Sequence, residues 1–204
     1  KILQVYHKDI AQRIHLQMQD HFWEEVAGYE VRISKGFTEL KQSAYTASKE
    51  LPIRDFRFSP ADKSNMSKYI FGKFEHCLYS VQKFDSDSER RLAVILDRDA
   101  QKWFKPALGQ FQIFYKHGTQ YSEYQPDFVA ETATTVYMME PKAKKEMDDP
   151  VVLAKRDAAV EWCRNATDYA ATYDGKPWAY LLIPHDMITE NMDITGLATK
   201  YAIT

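Results

Sequence analysis

The chain has 204 residues, 45% of them hydrophobic and 27% charged, with a formal net charge of −2. That size suits one domain, or one domain with an appended lobe, large enough to bury a core. The charge balance excludes a protein that is basic throughout, so a nucleic-acid surface must be a local patch or be supplied by a partner. Two cysteines, Cys77 and Cys163, are too few for a disulfide framework and point to a reducing, cytoplasmic setting. No apolar run reaches membrane-spanning length and no signal peptide opens the sequence, so no membrane partner is expected. The first residue is Lys1, and the sequence reads as part of something longer.

In chain order, residues 8–26 read as a helix with Ile10, Ile14, Met18, Phe22 and Val26 on one face. Residues 29–34 alternate as a short strand, 36–47 pattern weakly as a second helix, and 51–60 are extended between Pro52 and Pro60. Residues 66–84 place Tyr69, Ile70, Phe74, Cys77, Leu78 and Val81 at helical spacing, as a core face and not a base-stacking platform. A boundary near Asp85 then separates a mostly helical extension, 1–84, from a core, 85–204.

Ser86 or Asp87 caps the next helix, whose first turn is acidic as the helix dipole favours. Its buried stripe is Leu92, Ala93, Leu96, Ala100 and Trp103, running to about Phe104. One turn back, Glu89 falls on the same inward face, where a carboxylate needs a partner or a metal. Strands follow at 111–115, 124–131 and 134–140, with His117 and Gly118 as a turn after the first. A polar loop leads to Pro150 at the start of a helix reaching about Tyr173, with Lys155 on its apolar stripe. A fourth strand covers 178–183, and a tail with a short helix closes the chain.

The stretch 125–142, Q-P-D-F-V-A-E-T-A-T-T-V-Y-M-M-E-P-K, holds the strongest chemistry. Glu140 and Lys142, two apart on a strand, share a face, and Asp127 reaches them if the two strands are neighbours. Two carboxylates and an ammonium make a hard-cation site with a charge-stabilising group beside it. Two similar triplets lack that context: Glu39-Leu40-Lys41 lies in an expected helix and Asp174-Gly175-Lys176 in a turn. Scattered histidines offer no zinc motif, and the glycines form no phosphate-cradling loop.

Asp127, Glu140 and Lys142 resemble the pattern of the PD-(D/E)XK nuclease superfamily. The order helix-strand-strand-strand-helix-strand is similar to its α/β core, a mixed central sheet flanked by helices. The blocks S-D-S-E-R-R-L-A, K-W-F-K-P, Y-Q-P-D-F-V, Y-M-M-E-P-K, K-R-D-A-A-V-E-W-C and K-P-W-A-Y-L-L-I-P resemble the C-terminal endonuclease domain of type III restriction enzymes and related helicases, over about residues 80–190. The resemblance implies a metal-dependent DNA endonuclease in which Asp127, Glu140 and the Pro141 carbonyl hold Mg²⁺, with Mn²⁺ able to substitute. Pro141 fills a position that often carries a ladder donor, but its carbonyl remains available. Lys142 orients water or stabilises phosphate charge, and Glu89 completes the metal shell or holds a metal-bound water. Lys155 neutralises the carboxylates or touches a phosphate. By their position near the site, Lys144 and Lys145 either follow a DNA backbone or belong to a solvated loop. The implied partners are double-stranded DNA, an upstream helicase/ATPase domain, which alone would use ATP, and a modification subunit. Two alternatives stand beside this reading: a catalytically silent nuclease-fold module for DNA binding or subunit assembly, and a nuclease of the same superfamily acting on branched DNA or RNA.

Overall fold

Pro126 interrupts the apolar run 124–131 and sets the architecture. It has no N–H and pushes the preceding residue away from helical angles, so the chain turns there. In the computed structural model, which describes residues 2–21, 39–43, 45, 52–117 and 120–203, the single expected strand is therefore two. β5 (Ile113–His117) and β6 (Gln120–Tyr124) form a separate antiparallel hairpin, and β7 (Phe128–Glu131) joins the main sheet.

The main sheet is mixed, in the order β10-β9-β8-β7-β4, where β4 is Lys102–Phe104, β8 Val136–Lys142, β9 Trp178–Pro184 and β10 Ala202–Ile203. β4, β7 and β8 are successively antiparallel, and β8 and β9 are parallel. The parallel pair requires a crossover, supplied by helix α3 (Pro150–Ala171). Asp149 caps it, accepting from Val151 N at 2.8 Å, with Pro150 in its first turn. Helix α2 (Asp87–Asp99) starts as expected, with Ser86 Oγ accepting from Glu89 N at 3.1 Å.

Two cores sandwich the sheet. On one face Leu92, Ala93, Ile95 and Leu96 of α2 pack with Trp103, Phe128, Met139 and Ile183, and with Ile194 and Leu197 of helix α4 (Ile194–Tyr201). On the other, Ala159 and Cys163 of α3 and Phe111, Ile113 and Tyr124 pack with Val129, Met138, Tyr180 and Leu182. Alternation along β8 splits Met138 from Met139, as a strand buried on both faces must.

Several expectations change. α2 stops at Asp99, and Trp103 is buried from β4, so the sheet's first strand is Lys102–Phe104 and not 111–115. Residues 66–84 are not a helix. A 3₁₀ turn at Met66–Lys68 leads to β2 (Phe71–Gly72) and β3 (Val81–Gln82), which form a small sheet with β1 (Arg54–Asp55). Gly72 breaks the helical pattern, because a Cβ there would lie 2.9 Å from Ile53 Cγ2, and Lys73 follows at φ 68°. The described part of the lead-in is therefore not mostly helical after residue 21. Phe56, Met66, Tyr69, Phe71 and Phe84 belong to the same core as α2.

Helix α1 (Ile2–Asp20) forms, but its expected inward residues Ile14 and Met18 are 54% and 66% exposed. Phe22, Val26, the 29–34 strand, Gly118 and most of the 36–47 helix lie outside the described residues, and Glu39–Ser43 are not helical. Among the described residues, no helix is long and apolar enough to cross a membrane.

Candidate active site

The three motif residues meet at one end of the main sheet. The last register pair of β7 and β8 is Phe128 with Met139, and one step further sets Asp127 across from Glu140. Glu140 and Lys142 follow Met138 in the strand alternation and face the α3 side. Pro141 alternates with them, opposite Ile183 of β9. Here β8 has outrun β7, and a strand flanked on one side only tolerates a residue without an N–H.

Glu140 is only 4% exposed, and each of its oxygens has a donor. Lys142 Nζ lies 2.7 Å from Oε1, and the buried Tyr124 hydroxyl donates to Oε2 at 2.9 Å. Burial raises the Tyr124 and Tyr180 phenols, and the Glu140 charge raises them further, so both stay neutral. Burial alone would lower the Lys142 ammonium, but Glu140 and Asp127 outweigh it and hold its pKa above the usual lysine value. Asp127 is pushed up to about 8, first by burial and then by the Glu140 charge, against the pull of Lys105 and Lys142.

Lys105 is the functional candidate that periodicity missed. It follows β4, in strand phase with Trp103, and that phase turns it toward the α2 face. There it pairs with the buried Glu89, and its ammonium lies 5.2 Å from the Phe128 ring centroid and 5.8 Å from that of Phe84. Burial would lower its pKa, but Glu89 and Asp127 keep it raised. The signal was available in K-W-F-K-P, once Trp103 is given to a strand. Glu89 also accepts from Asp85 N at 3.3 Å. Asp127 thus joins two clusters: Lys105 with Glu89 on the α2 side, and Lys142, Glu140 and Tyr124 on the α3 side.

The other basic candidates lie outside the carboxylate cluster. Lys155 sits over the Tyr115 ring of the hairpin, 5.6 Å from its centroid. Lys144 and Lys145 are exposed on the 3₁₀ turn Lys144–Glu146, directly after β8.

As a cation site the arrangement is a two-carboxylate one. Among the described residues, no three His, Cys, Asp or Glu side chains gather into a metal-binding group, so Glu89, engaged by Lys105, does not complete a ligand trio. The remaining donor set is all oxygen: Asp127, Glu140 and the Pro141 carbonyl. Facing carboxylates repel when both ionise, and this donor chemistry fits a hard divalent cation. A cavity of about 620 Å³, lined by Phe104, Val129, Glu131, Val136, Lys176 and Trp178 among others, opens at the opposite end of the sheet, and no candidate residue lines it. Comparisons of the chain with protein-family models, curated proteins and solved structures found no match.

Proposed function

We propose that the chain is a Mg²⁺-dependent DNA endonuclease module with a PD-(D/E)XK core, of the type that ends type III restriction enzymes and related helicase-nucleases. The observation that carries this reading is the convergence of Asp127, Glu140 and Lys142 at one sheet end, with Lys142 2.7 Å from the Glu140 carboxylate. The order α2, β4, β7, β8, α3, β9, with three antiparallel strands and a parallel crossover, supports it.

In this reading Asp127, Glu140 and the Pro141 carbonyl would hold Mg²⁺. When bound there, the ion would supply Lewis-acid polarisation of the scissile phosphate and a more acidic attacking water. Lys142, kept charged by its neighbours, acts as a cation on the phosphate or orients the water through an N–H, and does not serve as a base. Lys105 holds Glu89 aside and limits the negative charge around Asp127. Lys144 and Lys145 contact the DNA backbone, and Lys155, held by the hairpin, is a weaker candidate for that role. An ATP-driven motor and a modification subunit are the expected partners.

Two observations favour a second reading, a silent module for DNA binding or assembly: the Lys142 ammonium is spent on Glu140, and among the described residues no third ligand gathers with the two carboxylates. Plasmid nicking in Mg²⁺ or Mn²⁺, with single-stranded, duplex and RNA substrates, separates the two. The nuclease reading expects nicking that Asp127→Asn and Glu140→Ala each reduce at least a hundredfold. Duplex binding with no cleavage in either metal would establish the silent module instead.

A further inference from the structure

Tyr124 carries an inference that rests on the nuclease reading and goes beyond it. The hairpin ends at this residue, three positions ahead of Asp127, and its side chain is only 2% exposed. Its hydroxyl donates to Glu140 Oε2 at 2.9 Å, while Lys142 holds Oε1 at 2.7 Å. Each carboxylate oxygen offers about two lone-pair sites, so one donor on each leaves room for a cation. The two donors differ in kind. The Lys142 ammonium repels an incoming cation, whereas a neutral phenol limits rotation of the carboxylate without opposing it. Tyr180, on β9, is buried in the same core as Tyr124 and close enough for the Glu140 charge to raise its phenol.

We propose that Tyr124 is a positioning residue that fixes the orientation of Glu140 for divalent-cation binding and so ties the β5–β6 hairpin to the metal site. Groups that orient a metal ligand typically contribute about 10–100-fold to affinity or activity.

The test is calorimetric titration of the 204-residue chain with Mn²⁺ alone, in wild type, Tyr124→Phe, Glu140→Ala and the double variant. Tyr124→Phe should bind Mn²⁺ about tenfold more weakly, melt only a few degrees below wild type without metal because Glu140 Oε2 loses one donor, and regain part of its nicking rate at high Mn²⁺. In the Glu140→Ala background the same substitution should cause no further loss. If Tyr124→Phe binds Mn²⁺ like wild type while Glu140→Ala does not, the proposal is overturned and the nuclease reading stands. If Glu140→Ala itself binds Mn²⁺ like wild type, the metal site falls and the proposal falls with it. A Tyr124→Phe chain that melts far below wild type, and binds in proportion to its folded fraction, would make the phenol a fold contact and overturn the proposal.

Discussion

At the scale of single residues, Asp127 has the most to reveal, because its environment sets its proton and with it any competition from a cation. Glu140 and Glu89 raise its pKa on top of burial, and Lys105 and Lys142 lower it, with the balance at about 8. In the unfolded chain an aspartate titrates near ~3.9. Between those values the folded state holds a proton that the unfolded state has lost, so this contribution to stability is complete below about pH 4 and fades as pH rises toward about 8. Asp55, held down to about 2 chiefly by its bond from Arg57, acts the opposite way and below that window. So does Asp87, also at about 2, where Lys63 and Arg90 outweigh burial. Metal-free melting should therefore show wild type losing several degrees relative to Asp127→Asn between pH 5 and 8. Parallel melting curves for the two proteins would remove the buried carboxyl from this account. A divalent cation competes with the same proton, so Mn²⁺ binding should tighten over pH 6–8 in wild type.

At the scale of elements, Asp97 shows how helix α2 hands over to the sheet. Its carboxylate accepts from Trp103 Nε1 at 2.8 Å, His76 N at 2.9 Å and Glu75 N at 3.0 Å. Trp103 is thereby fixed in β4, and His76 O receives Trp103 N at 3.0 Å. Asp97→Ala would leave those donors without their acceptor in a buried place, each at a cost of about 1–3 kcal/mol. The expected result is a melting temperature lower by more than 5 °C with Mn²⁺ affinity retained in the folded fraction; an unchanged melting temperature would show that the three bonds are replaceable. This contact also explains why helical spacing continues past the end of the helix. Leu96, Ala100 and Trp103 keep helical spacing, and all three are buried, yet the helix has ended and Trp103 is buried as a strand residue. Periodicity reports which residues are buried, not which backbone buries them. The later elements were legible because local chemistry agreed with pattern: Asp149-Pro150 starts α3, and the β8 and β9 strands match their apolar runs. The 66–84 segment was not legible, since Gly72 and the left-handed Lys73 matter only once the chain has folded back on Ile53. The site was half legible. Asp127, Glu140 and Lys142 stood in one motif, whereas Lys105 and Tyr124 reach it through a strand end and a hairpin whose positions are set by tertiary pairing.

At the scale of the whole molecule, charge decides how such a site would meet DNA. A net charge of −2 supplies no general attraction to a polyanion, and Lys105 and Lys142 are committed to carboxylates. Attraction must come from exposed cations close to the site. Lys144 and Lys145 fit, because β8 delivers them two and three residues beyond Lys142 on an exposed turn. Contacts of that kind hold phosphates and read no sequence, so their loss should weaken binding alike on every duplex. Each phosphate contact contributes roughly 0.9 to the slope of log affinity against log salt. The double variant Lys144→Ala, Lys145→Ala should thus lower that slope by roughly 2. The measurement is duplex binding across a salt series in Ca²⁺, where the longer and looser oxygen shell is expected to bind without supporting cleavage. Nicking at saturating DNA should change far less than affinity, since neither side chain belongs to the carboxylate cluster. An unchanged salt slope would place the DNA path elsewhere on the surface, and a collapse of nicking at saturating DNA would bring one of the two lysines into the chemistry.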